Sequence, residues 1–227
     1  MELETPNTWD KIRTEWPQLV ADFEIDPKKA ALLVIDMQKF NVQPGGDLIE
    51  GIVRDFPPFG EYYFPRASKV VIPNIRRLLD FFREHGLRIV YCRVEPLLED
   101  GADMPPVLRG TGRIHKKELE IVNELAPQED EIVLAKNSYS AFTSSNVDQV
   151  LRNLGLTDLV ITGATSDGCV ETTARDAADR GYNCYVVEDA TVTLAESLQQ
   201  AAMDTFVLMF GKVGSTQQII DEMKPQL

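Results

Sequence analysis

Cysteine, histidine and positive charge are all scarce in this chain of 227 residues. Its 3 cysteines are odd in number and too few for a disulfide framework. A chain of this length buries enough apolar surface to fold without one. Reduced thiols in a cytoplasmic setting are therefore expected. With Lys+Arg 23 against Asp+Glu 36 the formal net charge is −13, which argues against nucleic acid or an anionic membrane as partner. No long hydrophobic run exists. The longest, Ala30 to Ile35, is far short of a membrane span. The acidic start Met1-Glu-Leu-Glu-Thr-Pro lacks the apolar core of a signal peptide.

The 2 histidines remove further classes. His85 closes the helical stretch Phe82-Arg-Glu-His-Gly86, and His115 lies in the basic stretch Arg113-Ile-His-Lys-Lys117. Neither falls at a strand end, so a Cys–His nucleophile pair is not expected. There is no Asp-x-His, His-x-x-x-His or Cys-x-x-Cys cluster, so no metal is expected. No Gly-x-Gly-x-x-Gly follows the first strand and no Gly-x-Ser-x-Gly elbow is present. No cofactor is expected either.

What the chain does have is alternation. Residues 1–28 read as an N-terminal arm. Asn7 or Thr8 caps a short helix carrying Trp9, Ile12 and Trp16 on one face, and Pro17 ends it. Strands are expected at Ala30–Ile35, Leu87–Val94, Ile132–Ala135, Leu159–Thr162 and Tyr182–Val187, with a short one near Val213. Helices are expected over 66–85, where Pro73 is a kink or the true start, and over 116–125, 147–154, 169–180 and 196–210. Gly86, Gly155 and Gly181 stop three of them. The pattern predicts an α/β domain over 29–227: three layers, α/β/α, around a mostly parallel, about six-stranded Rossmann-like sheet. Residues 41–65 and 95–114, rich in Gly and Pro, are expected to be long loops.

Ligands of open parallel sheets bind at the carboxyl ends of the strands, near the topological switch point. Strand one ends on Asp36, strand three on Lys136, and strand four on the turn Gly163-Ala-Thr-Ser-Asp-Gly168 followed by Cys169. An acid, a base and a thiol thus share one sheet edge. A thiolate is a strong nucleophile, and a helix N-terminus and a nearby ammonium are both expected to lower the pKa of Cys169. Asp36 is placed to take the thiol proton and return it to a leaving amine. Cys92 and Cys184, inside apolar strands, read as ordinary buried thiols.

These residues resemble the isochorismatase-like cysteine hydrolases. The matching pieces are Leu33-Val-Ile-Asp-Met-Gln38, Pro44-Gly-Gly46, Leu134-Ala-Lys-Asn137 with Phe142, and Ile161-Thr-Gly-Ala-Thr-Ser-Asp-Gly-Cys-Val170, with Thr173 to Gly181 and Val187-Glu-Asp-Ala190 downstream. The resemblance spans roughly 28–220. It implies a catalytic triad of Asp36, Lys136 and Cys169 that cleaves small C–N amide bonds through a thioester. It also implies a cis peptide at Ala164–Thr165, and an oxyanion hole from the backbone N–H groups of Thr165 and Cys169. Metal-binding nicotinamidases of this family carry histidines after the first motif, and residues 55–69 here have none. The turn Ser166 to Glu171 and the stretch Arg180-Gly-Tyr182 look closest to the members that cleave carbamoyl and ureido groups. A homo-oligomer is implied as well.

One departure stands out. The family's first motif reads Asp-x-Gln-x-x-Phe, whereas here Phe40 comes one place early and Asn41 stands at the aromatic position. Phe40, Asn41, Tyr139 and Phe142 are candidate substrate-pocket residues. Arg109 and Arg113 are candidates to hold a substrate carboxylate from a lid over 95–117. The expected function is a metal-free amidohydrolase acting on a small ureido or N-carbamoyl compound. The alternatives are a vinyl ether hydrolase with Asp36 as the acid, an inactive binding protein of the same fold and, last, a thiol redox sensor.

Overall fold

The computed structural model describes residues 8–113 and 117–227, with the side chains of Asp47, Leu48, Glu50 and 110–113 outside that description. Six strands form one sheet: β1 (Ala30–Ile35), β2 (Arg88–Val94), β3 (Ile132–Lys136), β4 (Asp158–Ala164), β5 (Asn183–Val192) and β6 (Lys212–Gly214). Their order is β3-β2-β1-β4-β5-β6 and every pairing is parallel. Winding runs outward from β1 in one direction and from β4 in the other. The switch point therefore lies between β1 and β4.

The ten helices among the described residues are α1 (Thr8–Glu15), α2 (Lys39–Val42), α3 (Asp47–Asp55), α4 (Pro57–Arg66), α5 (Ile72–Glu84), α6 (Ala141–Ser144), α7 (Val147–Asn153), α8 (Glu171–Asp179), α9 (Glu196–Met209) and α10 (Thr216–Met223). β1 shows why the sheet is covered on both sides. All six of its residues are buried. Because side chains alternate along a strand, Ala30, Leu32 and Val34 face one core with Ile75, Leu79 and Phe82 of α5, while Ala31, Leu33 and Ile35 face a second core with Leu151, Ala174 and Phe206. Each large aliphatic chain so buried contributes about 1.5–3 kcal/mol. Trp9 and Ile12 of α1 join the second core beside α9, so this part of the arm packs on its own chain. Trp16 is exposed instead, and Pro17 opens a short 3-10 turn. A cap from Asn7 lies outside the described residues.

Four expectations need correction. Residues 41–65 are not a loop: α2, α3 and most of α4 occupy them. Pro57 and Pro58 sit in the first turn of α4, where a missing N–H costs nothing. The helix expected over 116–125 is absent from the described part of that span apart from a turn at Asn123–Leu125. Residues 118–122 instead run beside residues 37–40, with Phe40 N–H donating to the Glu118 carbonyl and Val122 N–H to that of Met37. Pairing with the chain after β1 takes the Glu118 and Glu120 carbonyls and the Val122 amide that a helix would have used. Helix α10 was not expected, although its signal is present in the sequence. Ser215 and Gln218 form a reciprocal capping box at its start. Pro73 does not mark the start of the helix: the backbone is already helical before it, and a π-turn over Ala67–Val71 joins α4 to α5 just upstream.

Candidate active site

Asp36 is the first residue beyond β1. Its φ of 51° lies in the left-handed region, where Asp is among the few non-glycine residues tolerated. Two hydrogen bonds hold it there. Its N–H donates to the Cys92 carbonyl at 2.8 Å, and its carbonyl accepts from Asn41 Nδ2 at 3.0 Å. Gln38 ties down the same corner. Fully buried, it donates Nε2 to the carbonyls of Val94 and Leu119 and accepts from the Val94 N–H. The sequence contained Gln38 but gave no sign of this clamp.

Lys136 ends β3, two strands away from β1. Adjacent strands lie about 4.7–4.9 Å apart, so a group on β3 must cross β2 to reach the switch point. The long Lys136 side chain does so. Its Nζ lies 2.7 Å from Asp36 Oδ2, 3.2 Å from Cys169 Sγ and 2.9 Å from the Ser138 carbonyl. All three ammonium hydrogens thus have partners, as a buried cation requires.

Cys169 follows β4. The Ala164–Thr165 peptide is cis, and the Thr165 carbonyl then accepts from the N–H groups of both Gly168 and Val170, drawing the chain into a tight turn. Cys169 falls in a π-turn over Ser166–Val170 that precedes α8, with Gly168 non-helical inside it. Two glycines permit this approach. A Cβ on Gly163 would meet the Ile35 carbonyl oxygen at 2.0 Å, and one on Gly168 would meet Thr165 Oγ1 at 2.5 Å. Beneath the turn, Ser166 donates to the buried Gln199, whose Nε2 donates to Thr191.

Electrostatics overturn one expectation. Burial pushes the Cys169 thiol up, the Asp36 charge adds to the rise, and Lys136 only partly opposes it. The thiol is therefore not acidified in the resting site, because it is almost wholly desolvated and sits beside the Asp36 carboxylate. Burial also raises Asp36, against the pull of Lys136. Burial alone would lower Lys136, but Asp36 and Cys169 reverse that and it stays charged. Cys92 lies one strand over, pushed up to about 12 by burial, and reads as an inert core thiol.

Asp36 and Cys169 form the floor of a cavity of about 270 Å³, and Lys136 holds them from behind without lining it. Ligand pockets run from about 300 to 1,000 Å³, so this one suits a small molecule. Its walls include Phe40, Asn41 and Tyr139, together with Thr165, Asp167 and Gly168 of the turn. Ile49 and Ile52 of α3, with Val107 and Leu108 of a 3-10 stretch at Pro106–Arg113, form an apolar roof. These four residues were not singled out in the sequence, since both segments were expected to be loops and α3 was hidden among glycines and prolines. Phe142 lies outside the cavity wall, packed on the Tyr182 ring at 5.5 Å. Arg109 is also outside it, exposed, with Nε reaching the Met104 carbonyl at 3.4 Å. The Arg113 side chain is not among those described. The Arg180–Tyr182 stretch braces α7 and α8 through Asp148 and Asp176 and does not line the cavity. Among the described residues no group of His, Cys, Asp and Glu is placed to hold a metal ion, and no helix is long and apolar enough to cross a membrane.

The isochorismatase domain family model matches residues 30–218, most of the chain. The chain belongs to the isochorismatase family. A six-stranded parallel sheet between two helical layers is the isochorismatase-like fold seen here. A cysteine hydrolase from Pseudomonas syringae pv. phaseolicola superposes with a TM-score of 0.78 at 25% identity, over 92% of this chain and 98% of that one. An isochorismatase from Pseudomonas putida KT2440 gives 0.66 at 26% identity, over 94% and 99%. An N-carbamoylsarcosine amidase from Thermoplasma acidophilum gives 0.64 at 28% identity, over 83% and 96%. This isochorismatase family member is thus similar to a cysteine hydrolase over 92% of its length.

Proposed function

We propose that this protein is a metal-free cysteine amidohydrolase that cleaves a C–N bond of a small amide of the ureido or N-carbamoyl type. The observation that carries the reading is that Asp36 and Cys169 share one cavity wall and are joined by Lys136 Nζ, 2.7 Å from Asp36 and 3.2 Å from Cys169. The likeness to an N-carbamoylsarcosine amidase supports the substrate class.

The steps follow from the charges. Asp36, a stronger base than a surface carboxylate because burial raises its pKa, takes the Cys169 proton as Sγ attacks the substrate carbonyl. Lys136 offsets the thiolate charge at that moment. The tetrahedral oxygen is held by the backbone N–H groups of Thr165 and Cys169. As the C–N bond breaks, Asp36 returns the proton to nitrogen and ammonia or an amine leaves. Water then attacks the thioester, Asp36 takes its proton, and the proton passes back to Sγ as the acid departs.

Ammonia release from a panel of small amides, ureas and N-carbamoyl compounds tests this. The wild type should release ammonia and accumulate an acyl group on Cys169 detectable by mass spectrometry. Cys169→Ala should lose both activities with its fold intact. Release that survives in Cys169→Ala would overturn the nucleophile assignment.

A further inference from the structure

The structure gives the Asn41 side chain two unlike ends. It is 3% exposed and forms part of the cavity wall beside Asp36. Nδ2 is turned back to the Asp36 carbonyl at 3.0 Å. Oδ1 is buried and has no hydrogen-bond partner among the described residues. The orientation is fixed by chemistry: a carbonyl oxygen facing Asp36 O would be an acceptor against an acceptor. The same cavity has an apolar portion lined by Ile49, Ile52, Val107, Leu108 and Leu194.

From this arrangement we propose that Asn41 Oδ1 is the specificity acceptor for an N–H of the bond being cleaved, and that the substrate is an uncharged amide or urea with a short apolar substituent. The proposal rests on the amidohydrolase reading above and deepens it. An aromatic ring at this position would supply a wall but no acceptor. A buried acceptor discriminates strongly, because a substrate lacking the N–H leaves it unpaired once water is excluded. The roof residues would meet the alkyl group. A substrate carboxylate would meet the side chains of Asp36 and Asp167 at the cavity wall, with Lys136 already committed to three partners.

Two matched pairs of probes test this: butyramide with methyl butyrate, and N-butylurea with methyl N-butylcarbamate. Each ester replaces the NH2 by OCH3 and can still acylate Cys169. The readout is the ratio of kcat/KM for the N–H compound over its ester, in wild type and in Asn41→Leu. Asn41→Ser serves if the leucine variant does not fold. The ratio should fall about ten-fold or more on substitution. A purely structural role, acting through the Asp36 carbonyl, would lower both members equally, and an unchanged ratio would overturn the proposal. N-carbamoylglycine, which adds a carboxylate, should be at least about ten-fold poorer than N-butylurea in the wild type. If it is better, the uncharged-substrate class is wrong. If no probe of any kind acylates wild-type Cys169, the amidohydrolase reading fails and this proposal with it. Acylation by the esters with an unchanged ratio would sink the Asn41 role alone.

Discussion

The cavity has a floor and a roof built on different terms. The floor consists of Asp36 and Cys169 with Lys136 directly behind them, each delivered by the end of a strand or the turn directly after it. Their spacing is fixed by sheet register, and each is buried. The roof consists of Ile49 and Ile52 on α3, and of Val107 and Leu108 on a 3-10 stretch. Ile52 is 38% exposed and Val107 is 77% exposed. Sheet pairing positions the floor, while the roof sits on a helix and a 3-10 stretch outside the sheet. A fold arranged this way keeps its chemistry constant and varies its substrate by changing the roof.

The sharpest test of that contrast removes the central floor contact. Lys136→Met leaves the Asp36 carboxylate buried without its ion partner. Loss of about 3–5 kcal/mol of stability is expected, read by denaturant titration. Turnover should fall by roughly 10³-fold or more, since the three groups act as a unit.

Glycines in the two regions should behave oppositely. Gly163 has a φ of 125°, and a side chain there would strike the Ile35 backbone at the base of the site. Gly163→Ala should cost about 1–3 kcal/mol and also depress activity. Gly51 lies within α3 with open space around its Cα. Gly51→Ala should stabilise the protein by about 0.5–1 kcal/mol. Thermal melts of both variants read the difference, and equal shifts would erase the contrast.

Alkaline pH probes the core behind the floor. Cys92 titrates near 9.0 when unfolded and is pushed up to about 12 when folded. Its folded pKa is therefore raised, so its contribution to stability is intact below pH 9 and is lost as pH rises towards 12. Unfolding free energy should decline over that window, by about 1.4 kcal/mol per pH unit for one such group. Cys92→Ala should flatten the slope by that amount, as measured by urea titrations at several pH values.

The smallest effects belong to the roof. Ile52→Ala should raise KM about three- to ten-fold for a substrate with an alkyl tail and leave kcat within about two-fold. A large fall in kcat with KM unchanged would show that the roof takes part in the chemistry.

Much of this was legible in the residues alone. The six strands appear at their expected places, because buried parallel strands are continuous apolar runs bounded by glycine or charge. Asp36, Lys136 and Cys169 stood out because each is polar at the end of such a run. The helices of 41–65 were hidden by prolines that look like breakers but start α4 and sit at its end. Phe142 looked like a pocket residue by its proximity in sequence to Lys136 and Arg109 by its positive charge in an expected loop of an acidic chain, and the structure places both outside the cavity wall.

The sequence by itself determined the alternation of strand and helix, and which polar residues end the strands, because both follow from local hydrophobic pattern. Only the tertiary structure decided that β3 lies two strands from β1, so that a side chain as long as lysine is needed to span β2 and join acid to thiol. It also decided the direction of the thiol pKa. That direction depends on how completely the surrounding chain excludes water, which no local pattern encodes.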